Sequence, residues 1–223
     1  MSLSAVIFDL DGTLADTITD IGNAVNYTLR RHGFPSHPIE TYKLMVGNGF
    51  PTLMQRAVPE SAVNDSPLFT QLVSEAAERY RVMSLDTTVP FAGVSDLLAT
   101  LTAQGVKLAV LSNKPDELTK MLIPALFPGI PFVAIEGDLP GRRRKPDPER
   151  ALEILAMAGL TPEQTAFVGD SGVDMETGVN GNMTPLGAAW GYRTLEELQK
   201  HGARAILKKP ADLLNFVGPI EQN

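Results

Sequence analysis

Two carboxylates stand one residue apart near the start of the chain, at Asp9 and Asp11. Carboxylates held this close repel each other unless a cation neutralises them or one of them keeps its proton. A turn at the glycine that follows, Gly12, would let both side chains point into the same crevice. The spacing therefore predicts a metal-binding or acid–base site. An ordinary turn in which an aspartate caps the next helix is the alternative.

Polar groups also follow a second apolar stretch and occur in a proline-rich loop. Ser112 and Asn113 offer a hydroxyl and an amide at a predicted strand-to-helix junction, where the helix dipole favours an anion. A helix N-cap at either residue is the alternative. Lys145 precedes Pro146 and Pro148, which stiffen its backbone before the next predicted helix. A lysine held there could neutralise a phosphoryl oxygen as charge develops in a transition state.

A second pair of carboxylates, Asp170 and Asp174, is spaced four residues apart. With a helix beginning near Ser171 both would face the same way, although acidic residues in a first helical turn can simply be dipole partners. Hard oxygen ligands of this kind suit Mg²⁺. Taken together, the chain offers a nucleophile, an acid, a cation and a metal site, which are the groups that phosphoryl transfer needs.

Short continuous apolar runs precede most of these groups, and such runs are typical of strands buried on both faces of a parallel sheet. The predicted strands cover residues 5–8, 106–111, 132–135, 166–168, 185–189 and 205–207. Helical spacing occurs between them, at Val94, Leu97, Leu98 and Leu101, and less strictly at Leu152, Leu155 and Met157. This alternation predicts an α/β fold with a Rossmann-like, doubly wound parallel sheet, in which ligands bind beyond the carboxyl ends of the strands.

The alternation stops between residues 16 and 88, where helical patterns occur without a convincing buried strand. One apolar stripe runs through Ile18, Ile21, Val25 and Leu29, before Gly33 and Pro35; another runs through Leu68, Leu72, Ala76 and Tyr80. We therefore predict an α-helical cap domain at residues 16–88. It would be inserted into a core domain formed by residues 1–15 and 89–223.

The composition restricts the class of protein. The apolar runs of the 223-residue chain fall short of the ~18 residues that cross a bilayer, so no membrane partner is expected. The chain contains no cysteine, which excludes disulfides, thiolate nucleophiles and cysteine-ligated metals. Its formal net charge of −7 argues against nucleic acid as a partner. Because the N-terminus lacks the pattern of a secretory signal, we expect a cytoplasmic protein.

Four motifs, in this order, make the chain resemble the haloacid dehalogenase superfamily. They are Phe-Asp-Leu-Asp-Gly-Thr-Leu at 8–14, Ser-Asn-Lys at 112–114, Lys-Pro-Asp-Pro at 145–148 and Val-Gly-Asp-Ser-Gly-Val-Asp at 168–174. The resemblance covers nearly the whole chain, and the helical insert is similar to the first cap class of the family. It implies a Mg²⁺-dependent enzyme. The presence of Asp11 favours oxygen leaving groups, which need a proton.

The resemblance implies catalytic and metal-binding roles at the matching positions. Asp9 would be the nucleophile and a Mg²⁺ ligand. Asp11 would protonate the leaving alkoxide and then deprotonate a water molecule, while its backbone carbonyl binds the metal. Asp170 would be a further metal ligand, and Asp174 would support the metal or orient Lys145.

The resemblance also implies which residues bind the substrate. Ser112 and Lys145 would hold the phosphate, with Asn113 nearby, and Thr13 would help to shape the loop. The non-phosphate end of the substrate would meet three cap residues, Gly47, Asn48 and Gly49.

Within the superfamily, residues 46–49, 90–94 and 190–192 are most similar to bacterial phosphoglycolate phosphatases. This similarity implies that the partner is a small phosphorylated metabolite, 2-phosphoglycolate, and that the protein is a monomer or a homodimer. Two stretches depart from that pattern: residues 136–138, and the arginines at 142–144, which we interpret as a solvated loop, with a gate for anionic substrates as the alternative. Other functions left open are a sugar phosphatase, a nucleotidase, a pyrophosphatase, a sugar phosphomutase and a non-catalytic binding module.

Overall fold

The computed structural model describes residues 3–217, in which strands and helices alternate. The strands are β1 (Ala5–Phe8), β2 (Ala15–Asp16), β3 (Val89–Pro90), β4 (Lys107–Pro115), β5 (Phe132–Asp138), β6 (Thr165–Gly169), β7 (Thr184–Ala188) and β8 (Ala205–Leu207). The α-helices are α1 (Ile18–Arg31), α2 (Phe50–Ala57), α3 (Glu60–Asn64), α4 (Ser66–Met83), α5 (Val94–Ala103), α6 (Asp116–Leu126), α7 (Glu149–Met157), α8 (Gly172–Asn180) and α9 (Leu195–Lys200). Short 3₁₀ helices cover Ile39–Leu44, Pro162–Gln164 and Pro210–Asn215. In this part of the chain, none of the helices is both long and apolar enough to cross a membrane.

Six strands form a parallel sheet in the order β5-β4-β1-β6-β7-β8. Along the chain, the strands on one side of β1 (β4 and β5) come first, and those on its other side (β6, β7 and β8) follow. The strand order therefore reverses at the centre of the sheet, where open α/β sheets bind ligands. Residues of β1 alternate between two hydrophobic clusters, with Val6 and Phe8 in one and Ile7 in the other. Because both faces are covered, the whole strand is apolar. The predicted α/β fold is confirmed.

The strand β4 is longer than the sequence predicts. Instead of ending at Leu111 it continues to Pro115, because a shift of register lets Pro115 pair with Asp138 on β5. The helix α6 begins only after Pro115. The N-cap interpretation of Ser112 and Asn113 is therefore wrong, and both residues lie in the last part of the strand.

The helix α7 buries a different stripe from the predicted one. Leu155 is buried, but Leu152 is partly exposed and Met157 is 81% exposed. Ala151 and Ile154 are buried instead. These positions and Leu155 are spaced by three and four residues, so they form one helical face, and Leu152 and Met157 fall outside it.

The helices between residues 18 and 83, here called the helical block, pack around a separate hydrophobic cluster, to which Leu118 of α6 also belongs. The predicted stripe of α1 is buried in it, and Gly33 follows the end of α1 with a φ of 72°. The two crossings between the sheet and the helical block pair with each other as the antiparallel strands β2 and β3. The division into a cap at 16–88 and a core at 1–15 and 89–223 stays a prediction. Its outer ends, residues 1 and 223, lie outside the described residues.

A buried carboxylate joins the start of α1 to the segment that leaves the helical block. The two oxygens of Asp20 accept hydrogen bonds from the backbone N–H and the hydroxyl of both Thr87 and Thr88, at 2.6–3.1 Å. Asp20 is fully buried. The carboxylate thus ties together both crossings between the sheet and the helical block.

Replacing Asp20 by alanine is expected to lower the free energy of unfolding by about 3 kcal/mol, because the N–H and hydroxyl donors of the buried Thr88, and those of Thr87 beside it, lose their charged partner. Equilibrium unfolding in urea measures the change. Asp86→Ala, at an exposed position in the same segment, is the control and should change stability by less than about 0.5 kcal/mol. Equal effects of the two substitutions would contradict the expected role of Asp20.

Candidate active site

Asp9 and Asp11 flank a tight turn at the carboxyl end of β1. The Asp9 N–H donates to the Val168 carbonyl on β6 at 2.9 Å, and the chain then turns at Gly12, whose φ is +83°. A Cβ atom at Gly12 would lie only 2.3 Å from Asp170 Oδ2, so glycine lets the loop pass close to this carboxylate. The turn brings the polar ends of β1 and β6 together.

Three buried carboxylates meet at this edge of the sheet. Asp9, Asp170 and Asp174 each present an oxygen, and these oxygens lie within 4.8 Å of one another. Asp170 accepts hydrogen bonds from Thr13 Oγ1 at 3.2 Å and from the Tyr192 N–H at 2.7 Å. Asp9 Oδ1 is buried, and its close polar neighbour is Lys145 Nζ, which forms an ion pair with it at 2.9 Å without a well-aligned hydrogen bond. A carboxylate oxygen that faces one ammonium group keeps a lone pair that can bind a metal ion.

Burial and mutual repulsion make these carboxylates hard to ionise without a cation. Burial raises the pKa of Asp9 to about 7; the nearby Lys145 opposes this shift, and Asp174 and Asp11 add to it. Burial also raises the pKa of Asp170 well above its usual value, with further contributions from Asp174 and Asp9. A small divalent cation would relieve both shifts, and carboxylate oxygens are ligands that Mg²⁺ prefers. The residues present therefore fit a magnesium ion.

Lys145 lies beside Asp9 and is almost completely buried. Its Nζ is 2.9 Å from Asp9 Oδ1 and 2.6 Å from Asp174 Oδ1, and 2% of the side chain is exposed. Burial alone would lower the pKa of Lys145, but the carboxylates of Asp174 and Asp9 raise it above its usual value. The lysine is thus held as a cation where a phosphate bound at Asp9 would need one.

Asp174 performs two structural tasks at once. Its Oδ2 accepts hydrogen bonds from the N–H and the hydroxyl of Ser171, at 3.1 and 2.6 Å, and so caps the start of α8. Its Oδ1 binds the Lys145 ammonium. Asp174 thus lies in the first turn of α8, where the dipole-partner alternative places it, and it also caps that helix and contacts Lys145.

Asn113 connects three separate segments of the chain. Its Oδ1 accepts from the Lys145 N–H at 3.0 Å, and its Nδ2 donates to the carbonyls of Lys145 and Gly47, at 3.1 and 2.9 Å. Ser112 Oγ accepts a hydrogen bond from the Lys114 N–H at 3.2 Å, which leaves its hydroxyl hydrogen for an anion. In this structure Asn113 positions the backbone of Lys145; its contact with a phosphate stays a prediction.

Asp11 is held by residues that the sequence analysis did not assign to the site. Thr17 Oγ1 donates to Asp11 Oδ1 at 2.6 Å, and Lys114 Nζ lies 3.0 Å from the same oxygen. Lys114 also donates to the hydroxyl of Tyr80, in the helical block, at 2.8 Å. Lys114 is part of the Ser-Asn-Lys motif, so its position was visible in the sequence, whereas no local signal marks Thr17 or Tyr80.

A cleft of about 420 Å³ opens between Asp9 and the helical block. On the side of the helical block its wall consists of apolar side chains and two glycines: Ile21, Val46, Gly47, Gly49, Phe50 and Leu53. The predicted substrate contacts Gly47 and Gly49 therefore lie at the cleft. Asn48, between them, turns its side chain to Arg56, which donates to its Oδ1 at 2.9 Å.

The arginine run divides into a surface part and a part near the cleft. Arg142 and Arg143 pair with acidic residues at the surface, as the solvated-loop interpretation predicts. Arg144 differs, because it pairs with Asp138 at 2.6 Å and its guanidinium packs against Gly49 of the helical block. The two stretches that depart from the family pattern thus contact each other. Their effect on substrate binding stays a prediction.

The fold and the site define a class of enzyme, namely α/β proteins with an aspartate pair, a buried lysine and a carboxylate metal site at the carboxyl edge of a parallel sheet. The family model described as haloacid dehalogenase-like hydrolase matches residues 6–188. The chain belongs to this family, which confirms the resemblance that its motifs showed.

Relatives and solved structures agree with this assignment. A phosphoglycolate phosphatase from Pseudomonas putida is 36% identical over 190 residues, which cover 84% of this chain and 70% of that protein. A phosphoglycolate phosphatase from Psychrobacter arcticus is 32% identical over 205 residues, which cover 90% of this chain and 89% of that protein. A solved structure from Lactobacillus delbrueckii covers 98% of this chain and 100% of its own, with a TM-score of 0.90 and 31% identity. The solved structure of a predicted phosphoglycolate phosphatase from Haemophilus somnus covers 96% of this chain and 98% of its own, with a TM-score of 0.87 and 26% identity.

Proposed function

We propose that this protein is a Mg²⁺-dependent phosphatase that hydrolyses 2-phosphoglycolate to glycolate through an aspartyl-phosphate on Asp9. The observation that carries the proposal is the position of Asp9, between the Lys145 ammonium and the carboxylates of Asp170 and Asp174, with the Asp11 side chain facing the same cleft. The choice of substrate is supported by the names of the relatives from Pseudomonas putida and Psychrobacter arcticus.

In the first half of the reaction, a carboxylate oxygen of Asp9 attacks phosphorus and the ester bond breaks. Asp11 gives its proton to the departing alkoxide, so glycolate leaves as an alcohol. The Lys145 ammonium and the Ser112 hydroxyl stabilise the charge on the non-bridging phosphoryl oxygens. Asp174 and Asn113 keep Lys145 in place through its side chain and its backbone.

In the second half, water hydrolyses the aspartyl-phosphate. Asp11, now a carboxylate, takes a proton from the water molecule that attacks phosphorus, and Asp9 leaves as a free carboxylate. The wall that the helical block contributes to the cleft is apolar, which disfavours bulk water beside the reacting groups. Hydrolysis thus restores the starting protonation of both aspartates, and phosphate then leaves.

The metal would be held by the side chains of Asp9 and Asp170 and by the backbone carbonyl of Asp11. Asp174 is also a candidate ligand, although both of its oxygens are engaged by Lys145 and Ser171 in this structure. When bound, Mg²⁺ neutralises the clustered carboxylates and draws the phosphate toward Asp9.

Mg²⁺ is expected to raise the melting temperature of the substrate-free protein. At a free concentration of a hundred times Kd the stabilisation is about 2.7 kcal/mol, which corresponds to about 5–10 °C for a chain of this size. Asp170→Asn removes a ligand and should abolish most of this rise, whereas the exposed Asp86→Asn should keep it. Thermal unfolding of each protein with Mg²⁺ and with a chelator measures the effect; no rise in the wild type would contradict the proposed metal site.

A substrate panel tests the proposed function. Phosphate release is measured with Mg²⁺ from 2-phosphoglycolate, sugar phosphates, nucleoside monophosphates and pyrophosphate, with Asp9→Asn as the control. The proposal predicts a clear preference for 2-phosphoglycolate that the substitution abolishes. A preference for another compound would change the proposed substrate but leave the proposed mechanism in place. Absence of release from every compound, or release that survives Asp9→Asn, would overturn the mechanism.

A further inference from the structure

The cleft contains a second buried cation, Lys114, which the proposed reaction steps do not use. Only 3% of its side chain is exposed, although the residue lines the cleft beside Asp9 and Asp11. Its Nζ lies 3.0 Å from Asp11 Oδ1 and donates to the Tyr80 hydroxyl at 2.8 Å. The same nitrogen lies 4.3 Å from the centre of the Tyr80 ring. An ammonium group has three N–H donors, and these two contacts account for two of them.

The place of Lys114 relative to the reacting groups decides which part of a substrate it can reach. A phosphate held by Ser112 and Lys145 at Asp9 presents its ester oxygen to Asp11, the proton donor. Lys114 adjoins Asp11 on the side of the helical block, where Tyr80 lies. A group attached to the first carbon of the ester therefore comes close to the Lys114 ammonium.

We propose that Lys114 binds the carboxylate of the substrate, so that the cleft selects phosphate esters with a carboxylate on the carbon that carries the ester oxygen. This inference rests on the proposed function and adds a residue that recognises the non-phosphate end. A buried ammonium beside an anion of this kind forms a charge-assisted hydrogen bond, which is stronger than one between neutral groups.

The other cations near the cleft also have partners, but none of their ion pairs or hydrogen bonds is with Asp11. Lys145 is bound by Asp174 and Asp9. Arg193 donates to the backbone carbonyls of Val46, at 2.8 Å, and Lys43 in the helical block. Arg144 is 40% exposed and pairs with Asp138. Among the described residues that line the cleft, Lys114 is thus the cation placed to meet the end of the substrate beyond Asp11.

The rest of the cleft wall suits a small acid better than a sugar, because it is apolar. Ile21, Phe50 and Leu53 offer no hydrogen-bonding groups to sugar hydroxyls, and leaving such hydroxyls unpaired in a cleft costs free energy. A carboxylate at Lys114 leaves only a methylene group to face these apolar side chains. The chemistry of the wall and the position of the cation therefore favour the same class of substrate.

The test compares Lys114→Met with the wild type on two substrates, 2-phosphoglycolate and ethyl phosphate, which carries a methyl group in place of the carboxylate. The ratio of kcat/KM for the two substrates is measured on one sample of each protein with Mg²⁺, so the fraction of inactive enzyme cancels. The wild type should prefer 2-phosphoglycolate, and the substitution should reduce that ratio by about 10- to 100-fold. Lys120→Met, at an exposed lysine on α6, should keep the wild-type ratio.

Two results would overturn the inference and are distinct from failure of the proposed function. Equal losses on both substrates in Lys114→Met would show that Lys114 acts through Asp11 rather than on the carboxylate. A wild type that hydrolyses both esters with the same kcat/KM would exclude carboxylate recognition without any variant, while leaving the chemistry at Asp9 intact. If neither ester releases phosphate in a reaction that depends on Asp9, the proposed function fails and this inference fails with it.

Discussion

Replacing Asp9 by asparagine is expected to lower kcat for 2-phosphoglycolate by at least about 10⁵-fold, because the neutral amide cannot attack phosphorus and the covalent route is closed. The substitution also removes a carboxylate from the proposed metal site that Asp9 shares with Asp170. Steady-state phosphate release with Mg²⁺ measures the loss. The exposed Asp96→Asn is the matched control and should retain wild-type activity.

The loss in Asp9→Asn should occur without loss of the fold. Burial raises the pKa of Asp9 in the folded protein to about 7. Ionising Asp9 therefore destabilises the metal-free folded protein, and its free energy of unfolding falls as the pH rises from the pKa of Asp9 in the unfolded chain toward 7. In chelator at pH 8 the asparagine variant should therefore melt no lower than the wild type. An unfolded variant, or one with residual activity above about one part in 10³ of the wild type, would contradict the assignment of Asp9.

Replacing Asp11 by asparagine is expected to lower kcat for 2-phosphoglycolate by about 10²- to 10⁴-fold, the usual contribution of general acid–base catalysis. The alkoxide of glycolate is a poor leaving group and needs a proton, whereas p-nitrophenolate leaves without one. In the variant, formation of the aspartyl-phosphate from p-nitrophenyl phosphate should thus remain fast. Its hydrolysis should be slow, because activation of water still requires a base at position 11.

Rapid mixing separates these two steps. The Asp11→Asn variant should release about one equivalent of p-nitrophenol per active site in a burst and then turn over slowly, while the Asp9→Asn variant should show no burst. Thr17→Val serves as a second comparison, since it removes the hydrogen bond to Asp11 Oδ1 and keeps the carboxylate. If Asp11→Asn lowers the burst rate by the same factor as it lowers the steady-state rate, a leaving-group role for Asp11 is contradicted.

The sheet and the carboxylate pair at its edge could be predicted because their signals are local. The residues of β1 are buried on both faces, so the strand is a continuous apolar run, and Asp9 follows it directly. Gly12 marks the turn, since a side chain there would collide with Asp170. Asp170 follows β6 in the same way that Asp9 follows β1. Parallel strands end at the same edge, so the motif order along the chain was enough to bring these groups together.

The contacts between the sheet and the helical block could not be predicted, because they depend on how two separate hydrophobic clusters are placed against each other. Lys114 and Tyr80 are 34 residues apart and on different elements, and no periodicity links them. The same holds for Asn113 and Gly47. The end of β4 was missed for a related reason, since its extension to Pro115 depends on pairing with Asp138 rather than on its own apolar pattern.

The central claim, a covalent intermediate on Asp9, is tested most directly by trapping it. The enzyme is mixed with Mg²⁺ and 2-phosphoglycolate, quenched during turnover and treated with borohydride, which reduces an aspartyl-phosphate to homoserine. Peptide mass spectrometry then locates the change. We expect homoserine at position 9 in the quenched sample, and unmodified aspartate there when substrate is omitted. Rapid phosphate release with position 9 unmodified throughout, or homoserine at another aspartate, would contradict that claim.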